Sequence, residues 1–177
     1  DTHAGARNDS LAFDDYFFRF WDNIFFPYLK ENNIDTVIHL GDIVDRRKFI
    51  NFVTARRLEK DFIKPLHDKN INAYFIVGNH DTYFKNTNEV NSMRELYGRT
   101  AYDNITIIDT PQEFTFDECN ILMMPWVCSG NYMECTAAME DSKAQIMFGH
   151  FEIKGFEMYR GSVSDTGFET NLFKKFD

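Results

Sequence analysis

Four short clusters of acids, histidines and an asparagine follow one another in a fixed order along this chain. They read Asp1-Thr2-His3, Gly41-Asp42-Ile43-Val44-Asp45, Gly78-Asn79-His80-Asp81 and Gly149-His150. The last three stand where an apolar, β-prone run stops: residues 36–40 before Asp42, 73–77 before Asn79 and 145–148 before His150. Ligands at the ends of neighbouring strands can meet at one point although long stretches of chain separate them, so the order asks for strands lying side by side. The donors are carboxylate, amide and imidazole, with no thiolate, which suits two divalent metals such as Mn or Mg better than a structural zinc.

With 177 residues, 44% of them apolar and nineteen phenylalanines among them, the chain has the material for one domain with an aromatic-rich core. No stretch approaches the roughly 18 to 20 apolar residues that span a bilayer, and no basic-then-apolar leader is visible. Membrane function is therefore not expected. The three cysteines, Cys119, Cys128 and Cys135, are odd in number and form no C-x-x-C pair; they read as reduced thiols of a cytoplasmic protein. A net charge of −9 argues at first against a nucleic-acid partner. Two dications would offset about four of those charges, and a phosphate-bearing substrate would have to be held by metals and local basic groups.

Periodicity predicts a helix over 10–32, capped by Ser10, with Phe13, Phe17, Phe20, Ile24 and Tyr28 on one face. A strand follows at 36–40. A second helix is expected over 51–69 with Val53, Leu58, Phe62 and Leu66 inward, kinked or ended early by Pro65. A strand at 73–77 and a short helix at 89–97 come next. Strands are then expected at 105–108, 113–116 and 120–124, the last two joined by an Asp117-Glu118 turn, followed by a helix at 133–141, a strand at 145–148 and a final short helix at 168–176. The alternation indicates an α/β domain with one sheet, mainly parallel. No repeat or linker divides residues 1–177.

Two cations a few ångströms apart need a shared anionic ligand, and Asp42, after a strand and behind Gly41, is the natural bridge. Asp1 and His3, two apart on an extended segment, point the same way and would complete one metal; Asn79 and His150 would serve the other. His80 follows a ligand directly and can reach the substrate instead, as general acid or phosphate stabiliser. Asp45 is expected to hydrogen-bond its other ring nitrogen and fix the tautomer. The nucleophile expected is a metal-bound water. His39 reads as structural, the Phe13, Phe17, Phe20 stripe as core, and Arg46-Arg47-Lys48 as solvated charge with an alternative role in phosphate contact. Taken singly, each cluster could be a turn, a surface pair or a core histidine; four in order after strands point to a metal site.

At these residues the chain resembles the calcineurin-like metallophosphoesterases, whose pattern is D-x-H, G-D-x-x-D, G-N-H-(D/E), G-H and a final G-H-x-H. Within them it is most similar to the DNA-repair nuclease subunits of the SbcCD type, in particular their T-even phage branch, through Phe148-Gly149-His150-Phe151-Glu152, Gly155-Phe156 and Met124-Pro125-Trp126. The resemblance implies a four-layer α/β/β/α sandwich, metal ligation by Asp1, His3, Asp42, Asn79 and His150, and catalysis by His80. It further implies manganese-dependent cleavage of DNA, exonucleolytic from 3′ ends and endonucleolytic on single strands, in double-strand-break repair and recombination. The implied partners are an SbcC-type ATPase with a long coiled coil and a second copy of the chain, contacting through the helices at 51–69 and 89–97; a phage protein of this kind would work in the host cytoplasm.

Two parts of the family pattern have no counterpart here, the strand before the first aspartate and the final G-H-x-H, and neither His39 nor His67 is placed to replace the latter. The expectation is a nuclease domain truncated at both ends, a piece of a longer protein. The competing readings are a phosphoprotein phosphatase or small-molecule phosphodiesterase on the same scaffold, and an inactive dimerising or ATPase-binding scaffold. Against the phosphatase, Arg47 stands where that family has glycine and Asp81 where it has glutamate.

Overall fold

Residues 72–77 alternate in what they touch, and that alternation sets the layering. In the computed structural model, which describes residues 1–98 and 102–176, Ala73, Phe75 and Val77 point into one core while Tyr74 and Ile76 point into another. A strand apolar on both faces must be covered on both. It belongs to a parallel sheet ordered β1 (Thr36–His39), β2 (Asn72–Ile76), β3 (Ile105–Ile108), with Ile38 paired to Tyr74 and Tyr74 to Thr106.

The chain leaves this sheet at Asp109-Thr110-Pro111 and builds a second one, rather than extending the single sheet expected from the strand count. β4 (Gln112–Phe116) and β5 (Cys119–Met124) form an antiparallel hairpin, and β6 (Ile146–Gly149) joins β5 in parallel. Asp117 and Glu118 both take positive φ, 46° and 70°, as a two-residue hairpin turn requires. The sheets pack face to face through Ile38, Tyr74, Ile76 and Ile108 on one side and Phe114, Ile121, Met123 and Phe148 on the other. Helical segments cover the outer face of the first sheet. The helix Tyr132–Asp141 covers the second, packing Cys135 and Met139 on Leu122 and Met124. The result is the four-layer α/β/β/α sandwich. Each fully buried side chain in it contributes about 1.5–3 kcal/mol.

The first helix runs Leu11–Phe20, passes through a π-helical turn at Trp21–Phe25 and continues as Phe26–Glu31. Ser10 caps it by accepting from the Phe13 N–H. Its inward face is not the expected one: Phe20, Ile24 and Tyr28 are 42%, 58% and 57% exposed, while Trp21, Phe26 and Leu29 are buried. The segment is aromatic on two faces, and the one whose Trp21 stacks on Phe62, rings 4.5 Å apart, faces the sheet. The second helix, Phe52–Leu58, likewise runs through a π-helical turn, Glu59–Ile63, into Lys64–Asp68. Pro65 does not end it early: it occupies the first turn after the π-helical segment, where its missing N–H costs little. Leu58, Phe62 and Leu66 are buried as expected, but Val53 is exposed.

Asn91 caps the short helix Ser92–Tyr97 through the Arg94 N–H. The expected helix at 168–176 is only a 3₁₀ turn at Thr170–Phe173, and an unforeseen hairpin, β7 (Glu157–Tyr159) with β8 (Ser162–Val163), precedes it.

Candidate metal centre

Parallel strands deliver their C-terminal ends to one edge, and three of the four clusters ride on them. Asp42 follows β1, Asn79 and His80 follow β2, and His150 follows β6. The fourth is laid alongside by backbone pairing. The amides of Thr2 and His3 donate to the Asp42 carbonyl at 3.1 and 3.0 Å, Ala4 N–H donates to Ile43 O, and Asp45 N–H donates to Ala4 O. Asp1-Thr2-His3 thus runs beside 42–45, and its anchorage continues through Asp9, which pairs with Arg46 and accepts from the Thr54 hydroxyl. The two sheets meet at the same edge, where Trp126 N–H donates to Val77 O at 2.7 Å.

Glycine is required twice. At Gly41, φ is +103° and a Cβ would stand 2.5 Å from His150 Nδ1; at Gly78, a Cβ would stand 2.3 Å from both the amide nitrogen and Oδ1 of Asp42. Asp42 and His3 themselves adopt left-handed backbone, φ 53° and 45°. Strain of this kind persists where the surroundings over-determine the conformation.

Asp42 is central and buried. Its Oδ2 lies 3.7 Å from His3 Nε2 and 3.5 Å from His150 Nε2, while its Oδ1 accepts the His80 N–H at 2.8 Å. Asp1 Oδ2 is 3.9 Å from His3 Nε2, and Asn79 Oδ1 is 2.8 Å from His150 Nε2. All five sequence-derived ligand candidates, Asp1, His3, Asp42, Asn79 and His150, are therefore drawn together around one carboxylate.

The donor atoms face one another across the centre. His150 Nδ1 lies 2.9 Å from the Leu40 carbonyl, so that nitrogen carries the proton and the Nε2 lone pair is turned toward two oxygens, Asn79 Oδ1 and Asp42 Oδ2. A histidine whose second nitrogen donates to a backbone carbonyl is the usual metal-ligand posture. Burial pushes the His3 imidazole below its ordinary value, outweighing the nearby Asp42; its buried Nδ1 has no hydrogen-bond partner among the described residues. Asp1, His3 and Asp42 can close on a single ion, and so can His3, Asp45 and His80. The donor set fits divalent cations of the Mn or Mg type.

His80 lies edge-on to His3, rings 5.0 Å apart. Its Nδ1 is 2.5 Å from the Asp45 backbone carbonyl. Asp45 reaches the His80 ring as expected, through its backbone carbonyl, while its carboxylate faces His3 Nδ1 at 3.5 Å. The reason is local, because the turn after Asp42 brings the Asp45 carbonyl round to the imidazole. Among the described residues no group hydrogen-bonds to Nε2 of His80.

Asp81 has a structural part in the site that the sequence reading did not assign. Its buried carboxylate accepts backbone N–H groups from Ile43 and Val44 at 2.9 and 3.1 Å and from Gly78 at 2.8 Å, so it pins the loop after β1 to the loop after β2. Burial pushes it up to about 6, against the pull of those donors. The signal was present in the acid closing Gly78-Asn79-His80-Asp81. His39, read as structural, accepts the Gly41 N–H and packs on Phe62 and Phe75.

The family profile for calcineurin-like phosphoesterases matches residues 1–172. Exonuclease subunit 1 of Enterobacteria phage T4 is 36% identical over 149 residues, covering 84% of this chain and 43% of that protein. A putative phosphoesterase, 078R, of Invertebrate iridescent virus 3 is 25% identical over 134 residues, 73% of this chain and 38% of that protein. The chain thus spans less than half the length of either relative. With the profile running through every one of the converging clusters, the chain belongs to the calcineurin-like phosphoesterase family.

Proposed function

We propose that residues 1–177 form the phosphodiester-cleaving domain of a DNA nuclease that works with two divalent ions, manganese or magnesium. The observation that carries the reading is the convergence of Asp1, His3, Asp42, Asn79 and His150 on one edge, with His80 beside them and its Nε2 without a hydrogen-bond partner among the described residues. The exonuclease name of the phage T4 relative supports DNA as the substrate.

Bound there, divalent ions act as Lewis acids on phosphate oxygens and lower the pKa of water toward neutrality. The chain's own residues do the rest. Asp42 puts negative charge between the two ligand groups, Asp1 with His3 and Asn79 with His150. Gly41 and Gly78 let the two loops approach closely enough for that. Asp45 fixes the His80 ring through its carbonyl, so that His80, when protonated, donates from Nε2 to the phosphate or to the departing oxygen. Asp81 keeps the loops in register.

The finer assignments are 3′ exonuclease and single-strand endonuclease action in double-strand-break repair and recombination. An SbcC-type coiled-coil ATPase is the proposed partner, and the cytoplasm, the host's for a phage protein, the site of action. A homodimer is supported by exposed apolar side chains at the start of the second helix, Phe52 at 91% and Val53 at 51%, with Phe49 just before them. No helix among the described residues is long and apolar enough to cross a membrane.

The test is hydrolysis in Mn²⁺ of single-stranded DNA oligonucleotides, compared with phosphopeptides and para-nitrophenyl phosphate. Preferential cleavage of DNA is expected. Turnover of phosphopeptide with none of DNA would replace the nuclease by a phosphatase.

A further inference from the structure

A cleft of about 700 Å³ opens beside the metal centre, and His150 forms part of its wall. Its size is that of a small-molecule site, and four aromatic rings line it: Trp126, Tyr132, Phe151 and Phe168. Tyr132 and Phe168 lie parallel, 1° apart in plane with centroids 6.0 Å apart, and Phe151 meets Phe168 edge-on at 6.1 Å. Tyr132 is 48% exposed, so its ring is available from solvent. Phe151 is held next to His150 because Gly149 leaves room for it; a Cβ there would stand 2.2 Å from the Phe151 ring.

The cleft carries acids that would repel a phosphate, but they are engaged within the protein. Glu152 accepts from the Ser164 and Thr166 hydroxyls and Glu169 pairs with Lys154. A cation for a phosphate is offered by the basic run after Asp45. Arg46 is tied to Asp9 and Lys48 sits over Tyr83. Arg47 lies over the Trp126 ring at 4.8 Å, donates to Thr82 Oγ1 and Phe84 O, and is drawn electrostatically toward the Asp42 carboxylate.

We propose that this cleft receives an unstacked nucleobase of the strand whose phosphodiester occupies the centre, with Arg47 contacting the neighbouring phosphate. The inference rests on the nuclease reading above and extends it to single-stranded or frayed DNA, the form in which a base is free to leave its stack. Base stacking on aromatic rings is sequence-tolerant, since every base offers a π-face. The continuity of the cleft with the centre through His150 argues for this occupant: a strand running from one to the other would put a phosphate near Asp42 and a base against the aromatic wall.

The experiment titrates the full chain, in Mn²⁺, with a single strand containing 2-aminopurine and with an abasic strand of equal phosphate count. Quenching of the 2-aminopurine emission is expected, with the abasic strand binding about tenfold more weakly, within the range for losing one stacked base. Tyr132→Ala should lower affinity for the base-bearing strand by a similar factor, while Tyr132→Trp retains it. Equal binding of both strands by the wild-type chain, with no quenching, overturns the cleft and leaves the nuclease reading standing. Failure to bind either strand in Mn²⁺ overturns both.

Discussion

Replacing Gly78 by alanine isolates the geometry of the centre from its chemistry, because no ligand is removed. The added Cβ would stand 2.3 Å from the Asp42 amide nitrogen and from Asp42 Oδ1, where ordinary contact begins at 3.4 Å. One atom in the pair belongs to the backbone, so no side-chain rotation relieves the overlap. The loop after β1 must retreat by about 1 Å, a displacement that costs about 10²-fold in rate when it falls on reacting groups. Overpacking costs about 1–3 kcal/mol. Since φ at Gly78 is not left-handed, alanine recovers about 0.4–1 kcal/mol from the unfolded state. The net loss of about 0–2.6 kcal/mol corresponds to at most about 10 °C in Tm for a chain of this size. Calorimetric Mn²⁺ titration and thermal melts of the folded variant are the assays. Expected are a modest fall in Tm and a much larger fall in Mn²⁺ affinity and in cleavage. A variant that melts as predicted but binds Mn²⁺ like the wild type would refute the argument that Gly78 exists to let Asp42 close on the centre.

Three further outcomes follow from the same structure. His80→Ala should cut the rate of DNA cleavage by about 10²-fold or more while Mn²⁺ affinity stays near the wild-type value, measured by turnover and calorimetry on one preparation. Asp42→Ala should abolish tight binding of both ions while the fold persists by circular dichroism. His39→Leu tests the burial of a neutral imidazole, whose pKa is pushed down to about 3. Below pH about 6.5 the unfolded chain takes up a proton that the folded one refuses, so this site removes stability on acidification by up to about 1.4 kcal/mol per pH unit. The leucine variant should therefore lose less Tm than the wild type between pH 7 and pH 5; identical slopes would show that His39 titrates normally.

The strands and the ligand clusters could be read from the sequence because both are local signals. β-Branched runs at 36–40 and 73–77 and the donor residues after them need no knowledge of distant partners. What could not be read depends on distant contacts. Helix 11–31 carries apolar residues on two faces, and only its packing on Phe62 decides that Trp21 and Leu29 turn inward while Phe20 and Ile24 stay out. Dividing the strands into two sheets depends on how β5 pairs with β6. Asp45 was associated with His80, but that its backbone carbonyl makes the contact could not be read, since a carbonyl has no signature in the sequence. Asp81 was visible as a residue but not as the pin between two loops, a role created by N–H groups contributed by Ile43 and Val44.

The proposed nuclease chemistry requires Asp1, His3, Asp42, Asn79 and His150 to hold divalent ions around the Asp42 carboxylate. Anomalous scattering at the Mn edge, from crystals of the full chain soaked in Mn²⁺, measures this directly. Two peaks about 3.5–4 Å apart, with Asp42 between them, His3 beside one and His150 beside the other, are predicted. Peaks confined to other acidic surfaces, with none within coordination distance of Asp42, would contradict it.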